Sequence, residues 1–171
     1  MSSDLGIRAP LLALDHHGVR YIVIGAVAAI AQGYPLTTSD LDVTPARDPE
    51  NIERLVSALR DLAATLRTPT DPVAFAIDAK MVAGAEAWTL ATNAGPLDLV
   101  FVPAGTSGYD DLRRDAIELD LGTGRRVPVA SLRDVIRMKE ASNREKDRAQ
   151  LPALRRTLEL IRERERKERG R

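Results

Sequence analysis

The sequence predicts an α/β (α+β) fold, in which a twisted mixed β-sheet is flanked by helices and followed by a C-terminal helical extension. Three observations carry this prediction. β-branched apolar runs alternate with helix-forming segments early in the chain, as in "VRYIVIG" followed by "AVAAIAQ". Two further runs flank the glycine-rich turn at residues 122–124, which indicates a hairpin. Residues 131–171 contain helix-forming segments only. This order of elements is typical of one α/β or α+β domain.

The first half of the chain is predicted to alternate helix and strand. The predicted elements are a short helix at 5–17, a buried strand at 19–25, a helix at 26–32 and a strand at 39–45. Gly33 and Pro35 end the second helix, and Pro45 ends the second strand. Asp48-Pro49-Glu50 then begins a helix with leucine and valine at helical spacing.

The second half is predicted to complete the sheet and then to become helical. The predicted elements are strands at 73–78, 86–92 and 96–102, a short helix at 107–115, and a hairpin of 116–121 with 126–130. Ser131 is suited to cap the next helix, and a last long helix runs from about Glu145 to Arg166. We therefore expect a core of residues 1–130 and a helical segment of residues 131–171, within a single domain overall.

Composition excludes several classes of protein. Hydrophobic residues make up 44% of the 171, which is enough for a packed core. Because cysteine is absent, disulfides, zinc–thiolate sites and cysteine nucleophiles are excluded. No apolar run approaches the roughly 20 residues of a membrane span, and the N-terminus does not resemble a secretion signal. We expect a cytoplasmic protein without a membrane partner.

Charge is balanced overall but unevenly distributed along the chain. Residues 125–171 hold 16 Lys and Arg against 8 Asp and Glu, whereas residues 1–124 hold 9 against 17. The balances are therefore +8 and −8. Such an asymmetry can steer an anionic partner such as RNA or a nucleotide. The alternative is a solvated helix whose charges largely cancel.

The stretch "GYPLTTSDLDV" places Asp40 and Asp42 two residues apart in a predicted strand. Side chains on a strand alternate between faces, so both carboxylates are expected on the same side. Like charges at that distance repel unless a cation lies between them, and Mg²⁺ prefers carboxylate oxygens. The spacing indicates a magnesium site, and the alternative is a strand end with two solvated acids.

Neighbouring residues strengthen the metal interpretation. Gly25 and Ala26 form a small-residue turn between strand and helix, where a phosphate can approach backbone amides. Thr38 and Ser39 add hydroxyl groups beside the acidic pair. A third acid, Asp98, interrupts the apolar run "PLDLVFV", where a charge is costly unless it is paired or bound to metal. An outward-facing polar position on a half-buried strand is the alternative for Asp98.

The stretch "IGAVAAIAQGYPLTTSDLDV" resembles the signature of the DNA polymerase β-type nucleotidyltransferase superfamily. The family pattern is a strand, a Gly-Gly or Gly-Ser turn, a small-residue helix and D-x-D, with a third aspartate on a later strand. The segment "SLRDVIRMKEASNREKDRAQLPAL" is similar to the K…R-x-K-D helical segment of bacterial members, including AbiEii and MenT-type toxins and related actinobacterial proteins. The resemblance spans about residues 19–156 and implies the nucleotidyltransferase fold.

The resemblance implies roles for individual positions. Asp40, Asp42 and Asp98 would bind two Mg²⁺ ions, and Asp98 would also accept the proton of the attacking hydroxyl. The nucleotide-binding residues would be Gly25, Ala26, Thr38, Ser39, Lys139, Arg144, Lys146 and Asp147, with Lys139 at the nucleotide phosphates. For Lys139 and its neighbours the alternative is a solvated helix face.

Two positions depart from the family pattern. Ala26 stands where catalytic members more often have Gly or Ser, and Leu36 stands where an arginine is usual. One phosphate contact is therefore missing or comes from elsewhere in the chain. Since the three carboxylates are present, we still expect a working enzyme.

The resemblance implies the transfer of an NMP unit from an NTP such as ATP or CTP to an acceptor. The expected acceptor is the tRNA 3′ end, and the expected setting is the toxin of a toxin–antitoxin pair with a cognate antitoxin protein. One alternative is a protein or small-molecule acceptor, as in AMP-transferring antitoxins and antibiotic-modifying enzymes. The other is a degenerate binding domain without catalysis.

Overall fold

A computed structural model describes residues 5–171, and residues 1–4, which the sequence prediction counted in the core, lie outside the described residues. The elements in chain order are α1 (Leu5–His16), β1 (Tyr21–Ile24), α2 (Gly25–Ala31), β2 (Leu41–Pro45), α3 (Pro49–Asp61), β3 (Thr65–Leu66), α4 (Ala79–Ala83), β4 (Ala87–Thr92), β5 (Gly95–Val100), α5 (Tyr109–Arg113), β6 (Ile117–Asp120), β7 (Arg126–Val129), α6 (Leu132–Ser142) and α7 (Glu145–Arg169).

The strands form one mixed seven-stranded sheet in the order β3-β4-β5-β2-β1-β7-β6. β2 lies at its centre, antiparallel to β1 and parallel to β5. The predicted hairpin is present as the antiparallel pair β6 and β7. With helices packed on the sheet and a long C-terminal helix, the structure confirms the predicted fold class.

The register of β2 and β5 separates the apolar core from a polar face. Leu41 pairs with Leu97 and Val43 with Leu99, and all four side chains are fully buried. α1 packs against both strands on this apolar side. Because side chains alternate along a strand, Asp42 and its partner Asp98 point to the opposite side of the sheet.

Two helix starts agree with the sequence prediction. Asp48 caps α3, where its carboxylate accepts a hydrogen bond from the backbone amide of Asn51, and Pro49 occupies the first turn. Ser131 caps α6 by accepting from the backbone amide of Asp134 at 3.2 Å. These caps fix where the two helices begin.

The strand predicted at 73–78 is wrong. Only Val73 forms a bridge, to Leu66, and the following residues lead to the unpredicted helix α4. Alternating apolar residues imitate a strand here, but the carbonyl of Ile77 accepts from Arg60 Nε on α3 and Phe75 stacks on Trp88. Asp78 then caps α4 through the amide of Met81.

Other boundaries differ by a few residues. β2 begins at Leu41, so Asp40 immediately precedes the strand, and α7 extends to Arg169. α6 packs on α2 and α7, and the division at residue 130 into core and helical segment stays a prediction. Across residues 5–171, no helix has both the length and the apolar character needed to cross a membrane.

Candidate active site

Two of the predicted metal ligands lie side by side. Asp42 on β2 and Asp98 on β5 are register partners on parallel neighbouring strands, so their side chains project from the same face of the sheet. Both line a cleft of about 590 Å³ that is closed on its other side by α6 and the start of α7. The structure thus brings together two carboxylates that are distant in sequence.

Burial and mutual repulsion disfavour the charged forms of this pair. Burial raises the pKa of Asp42 to about 7, with further contributions from the negative charges of Asp98 and Asp40. Burial also raises the pKa of Asp98, against the opposing charge of Arg67. A carboxylate pair that is hard to ionise without a counter-charge is a suitable ligand set for a cation.

Asp40 lies at the rim of the site rather than inside it. Its side chain is exposed, and its Oδ1 accepts a 3.4 Å hydrogen bond from Ser39 Oγ. Thr38 Oγ1 accepts from the backbone amide of Asp40 at 3.2 Å. In residues 5–171 no group of three or more His, Cys, Asp or Glu side chains has a metal-holding arrangement. The structure therefore leaves Asp40 outside the lining of the cleft that contains Asp42 and Asp98.

The turn between β1 and α2 is pressed against Asp42. Gly25 has φ +68°, a left-handed conformation that glycine adopts readily, and a Cβ at this position would overlap Oδ2 of Asp42. Gly25 and Ala26 line the cleft together with Leu36 and Thr38. Ser39 is absent from the lining, so the structure brings Gly25, Ala26 and Thr38 to the carboxylates and leaves Ser39 beside Asp40.

A basic wall faces the carboxylates across the cleft. Lys139 of α6, Arg144 and Lys146 line it, together with Asp147. Arg144 and Asp42 are close enough for the Asp42 charge to help raise the pKa of Arg144, after the larger effects of Asp147. The predicted helical motif therefore lies at the same cleft as Asp42 and Asp98, two of the three predicted metal ligands.

Asp147 anchors this basic wall from within. Its side chain is 1% exposed and accepts from Arg144 Nε at 2.8 Å and from Lys139 Nζ at 3.4 Å. Burial raises its pKa, but hydrogen bonds from Arg144 and Ser142 and the charge of Lys139 outweigh that effect and lower it to about 2. The Asp147 carboxylate is therefore engaged in ion pairs and holds Lys139 and Arg144 in place.

Arg67 is a site residue that the sequence did not indicate. Its Nη2 donates to both carboxylate oxygens of Asp98, at 2.8 and 3.1 Å. It follows β3, a two-residue strand whose pairing with β4 has no sequence signal. Only the order of strands in the sheet brings this arginine to Asp98.

A larger groove lies elsewhere, at the C-terminal end of α2. It measures about 1060 Å³ and is bordered by β6 residues, the start of α6 and the second half of α7. None of the predicted site residues lines it. The smaller cleft is therefore the candidate active site.

Comparison with known proteins identifies relatives in structure alone. No family model matches the chain, and no curated protein matches its sequence. A crystal structure of the lincosamide antibiotic adenylyltransferase LnuA with lincomycin bound is similar at TM-score 0.56 and 15% identity, covering 88% of this chain and 94% of LnuA. A solution structure of the antibiotic-resistance factor ANT(2'')-Ia is similar at TM-score 0.57 and 16% identity, covering 99% and 94%.

A third similar structure is TM1012 of Thermotoga maritima, a candidate nucleotidyltransferase, at TM-score 0.50 and 15% identity over 90% of each chain. These likenesses extend over nearly the whole of each protein. At this level of identity they show a shared fold, which is the predicted nucleotidyltransferase fold.

Proposed function

We propose that this chain is a magnesium-dependent nucleotidyltransferase that moves an NMP unit from an NTP to an acceptor. One observation carries the proposal: Asp42 and Asp98 face the anchored cations Lys139 and Arg144 across one cleft. A carboxylate pair is suited to a divalent cation, and the opposite wall is suited to phosphate oxygens. A metal-bound nucleoside triphosphate fits both walls: its metal ion would bind the carboxylates, and its phosphate oxygens would contact the cations.

The metal proposal rests on the chemistry of the donors. Asp42 and Asp98 are oxygen ligands with an unfavourable mutual charge, and Asp40 at the rim is the third candidate ligand. When bound, two magnesium ions would activate the attacking hydroxyl and neutralise the leaving pyrophosphate. In this proposal Asp98 accepts the proton of that hydroxyl, which is the role that the resemblance implies for it.

The phosphate side is proposed for the β1–α2 turn and the basic wall. Gly25 and Ala26 lie where backbone amides can approach phosphate, with Thr38 and Ser39 as hydroxyl donors nearby. Lys139, Arg144 and Lys146 supply positive charge. For Asp147 we propose a positioning role rather than direct nucleotide contact, since its carboxylate is buried against Lys139 and Arg144.

The proposed acceptor is the tRNA 3′ end, with the chain acting in the cytoplasm as a toxin restrained by an antitoxin protein. The charge asymmetry supports an anionic acceptor, because residues 125–171 carry the excess of positive charge. α7 presents much of it on exposed turns, although Arg155 and Arg156 are paired with glutamates. Binding would then weaken steeply with added salt.

A small-molecule acceptor is the second candidate. The fold is shared over almost its full length with two antibiotic-resistance proteins, one of which is a lincosamide adenylyltransferase. A non-catalytic binding domain is the remaining alternative, supported by Ala26 and Leu36 in the cleft lining. These alternatives predict different products.

The test is a transfer assay with Mg²⁺ and each α-labelled NTP, offering total tRNA or a lincosamide antibiotic in separate reactions. Asp42→Asn is the test variant, and Asp71→Asn, in an exposed loop, is the matched control. Label on tRNA that Asp42→Asn abolishes and Asp71→Asn retains would support the tRNA proposal. Label on an antibiotic would move the acceptor to the small-molecule class, and label on the protein itself would indicate a protein acceptor, as in AMP-transferring antitoxins. No transfer from folded protein would contradict enzymatic function.

A further inference from the structure

Arg67 is held firmly in the sheet rather than free on the surface. Its backbone amide donates to the carbonyl of Thr89 at 3.0 Å, which continues the β3–β4 pairing by one residue. Its Nη1 lies 3.4 Å from the carbonyl oxygen of Leu90, on the same neighbouring strand. The guanidinium therefore crosses β4 from a fixed base and reaches Asp98 on β5.

The Arg67–Asp98 pair is partly withdrawn from solvent. The two side chains are 31% and 26% exposed, and one guanidinium nitrogen binds both carboxylate oxygens. Within the described part of the chain, Arg67 is the one ion-pair partner of Asp98, and Asp42 has none. This arginine is thus the internal counter-charge of the carboxylate pair.

Arg67 approaches the site from the side opposite the basic wall. Strand order places β3 and β4 beyond β5, whereas the β1–α2 turn lies beyond β2. Lys139 and Arg144 line the cleft, and Arg67 does not. Arg67 therefore acts on the cleft from behind, through its contact with Asp98 and through its charge, which also opposes the raised pKa of Asp42.

We propose that Arg67 is a positioning residue. It holds the Asp98 carboxylate in the orientation in which it accepts the proton of the acceptor hydroxyl, and the same contact weakens divalent-cation binding. The proposal rests on the nucleotidyltransferase function proposed above. A guanidinium on both oxygens competes with a metal ion for the same lone pairs and adds a positive charge beside it. The same contact prevents the carboxylate from rotating when the acceptor hydroxyl arrives.

This double role predicts that removing Arg67 changes Mn²⁺ affinity and turnover in opposite directions. Loss of structure would instead lower both. Arg67→Met retains the aliphatic stem but removes the charge and the donors. We expect Mn²⁺ to bind about three- to tenfold more tightly, the size of a Coulomb effect between partly solvated charges. We expect turnover at saturating metal to fall about tenfold, because Asp98 is no longer oriented.

The experiment measures Mn²⁺ affinity of the full chain by electron paramagnetic resonance, with thermal unfolding in parallel, and transfer activity separately. Arg67→Lys keeps the charge but loses the second nitrogen, Nη1, which contacts the Leu90 carbonyl and steadies the group on Asp98, so it should retain the wild-type Mn²⁺ affinity but lose turnover. Arg47→Met is the matched control: it removes an arginine paired with Glu86 beyond the far end of β2, and should leave Mn²⁺ affinity unchanged.

Tighter Mn²⁺ binding by Arg67→Met, with slower turnover, supports the inference. Unchanged or weaker binding by Arg67→Met, while wild type binds Mn²⁺, would overturn it and leave the proposed function intact. Wild-type protein that binds no Mn²⁺, with or without nucleotide, would overturn both. The binding measurement requires no identified acceptor, so the two failures are distinguishable.

Discussion

Two charged clusters face each other across the cleft, and they are balanced in opposite ways. The strand cluster consists of Asp42, Asp98 and Arg67, so it has two carboxylates and one cation. The helix cluster consists of Lys139, Arg144 and Asp147, so it has two cations and one carboxylate. Each cluster is left with an uncompensated charge, negative on the strands and positive on the helices.

The two clusters differ in whether their own charges stabilise them. The helix cluster is stable by itself, whereas the ionised strand cluster requires a bound cation. The strand cluster is internally unfavourable, and the pKa of Asp42 is raised to about 7. The helix cluster is internally favourable, and the pKa of Asp147 is lowered to about 2. Structure alone stabilises the helix cluster, whereas a bound cation is needed to stabilise the ionised strand cluster.

The largest expected effect comes from neutralising the strand cluster. Asp42→Asn should lower transfer activity at least about 1,000-fold, since it removes a proposed metal ligand. The same change should raise the free energy of unfolding at pH 8 by about 1–3 kcal/mol, because it removes a buried charge beside Asp98. Activity and urea unfolding are measured together. A destabilised variant would contradict the unfavourable balance assigned to this cluster.

The same substitution in the helix cluster should have the opposite sign. Asp147→Asn should lower the free energy of unfolding by about 2–4 kcal/mol, because Lys139 and Arg144 lose their shared buried partner. Urea unfolding at pH 7 checks this. Asp110→Asn, on the short helix α5 and outside both clusters, is the control. If Asp147→Asn were neutral, the anchoring role of Asp147 would be wrong.

The contact between the strand cluster and the β1–α2 turn can be tested at Gly25. Gly25→Ala should cost about 1–3 kcal/mol, since alanine is strained at positive φ and its methyl group would displace Asp42. Nucleotide and metal binding should fall with it. The matched control is Gly122→Ala: Gly122 also has a positive φ, +91°, but a Cβ there would have open space around it. Equal metal affinity in both variants would show that the contact with Asp42 is unimportant.

The smallest expected effects are in the pH dependence of wild-type stability. The lowered pKa of Asp147 gives stability that is present above pH 4 and lost as pH falls towards 2, worth about 2 kcal/mol. The raised pKa of Asp42 acts in reverse: its contribution is present below pH 4 and lost as pH rises to about 7. Unfolding at pH 2–8 should show both slopes.

Each slope should become shallower with its own substitution, Asp147→Asn below pH 4 and Asp42→Asn between pH 4 and 7. Part of each slope should remain, because the pKa of Asp111 is also lowered and that of Asp98 is also raised. If both variants had the wild-type dependence of unfolding free energy on pH, the raised pKa of Asp42 and the lowered pKa of Asp147 would both be wrong.

Sequence predicted the parts of the site that depend on local pattern. Asp42 is predictable from its two-residue spacing to Asp40, Asp98 because it interrupts an apolar strand, and Gly25 because it separates a strand from a helix. Ser131 and Asp48 were predictable as caps for the same reason. The nucleotide-binding role proposed for Lys139 and Arg144 comes from the resemblance alone, and the structure adds that both side chains pair with Asp147.

What the sequence did not predict depends on long-range register. Arg67 meets Asp98 through two strand pairings, β3 with β4 and β4 with β5. A two-residue strand has too little pattern to reveal the first of them. The false strand at 73–78 has the same origin, since its apolar alternation serves packing by Phe75 on Trp88 rather than sheet pairing.

In the proposed function, the cleft binds a metal-bound nucleotide between two oppositely charged walls. Calorimetric titration with a non-hydrolysable NTP analogue, in Mg²⁺ and then in excess chelator, tests it most directly. We predict binding in Mg²⁺ that falls at least about tenfold in chelator, and that weakens in both Asp42→Asn and Lys139→Met. Binding of equal strength with and without Mg²⁺, or no binding by folded wild-type protein, would contradict it.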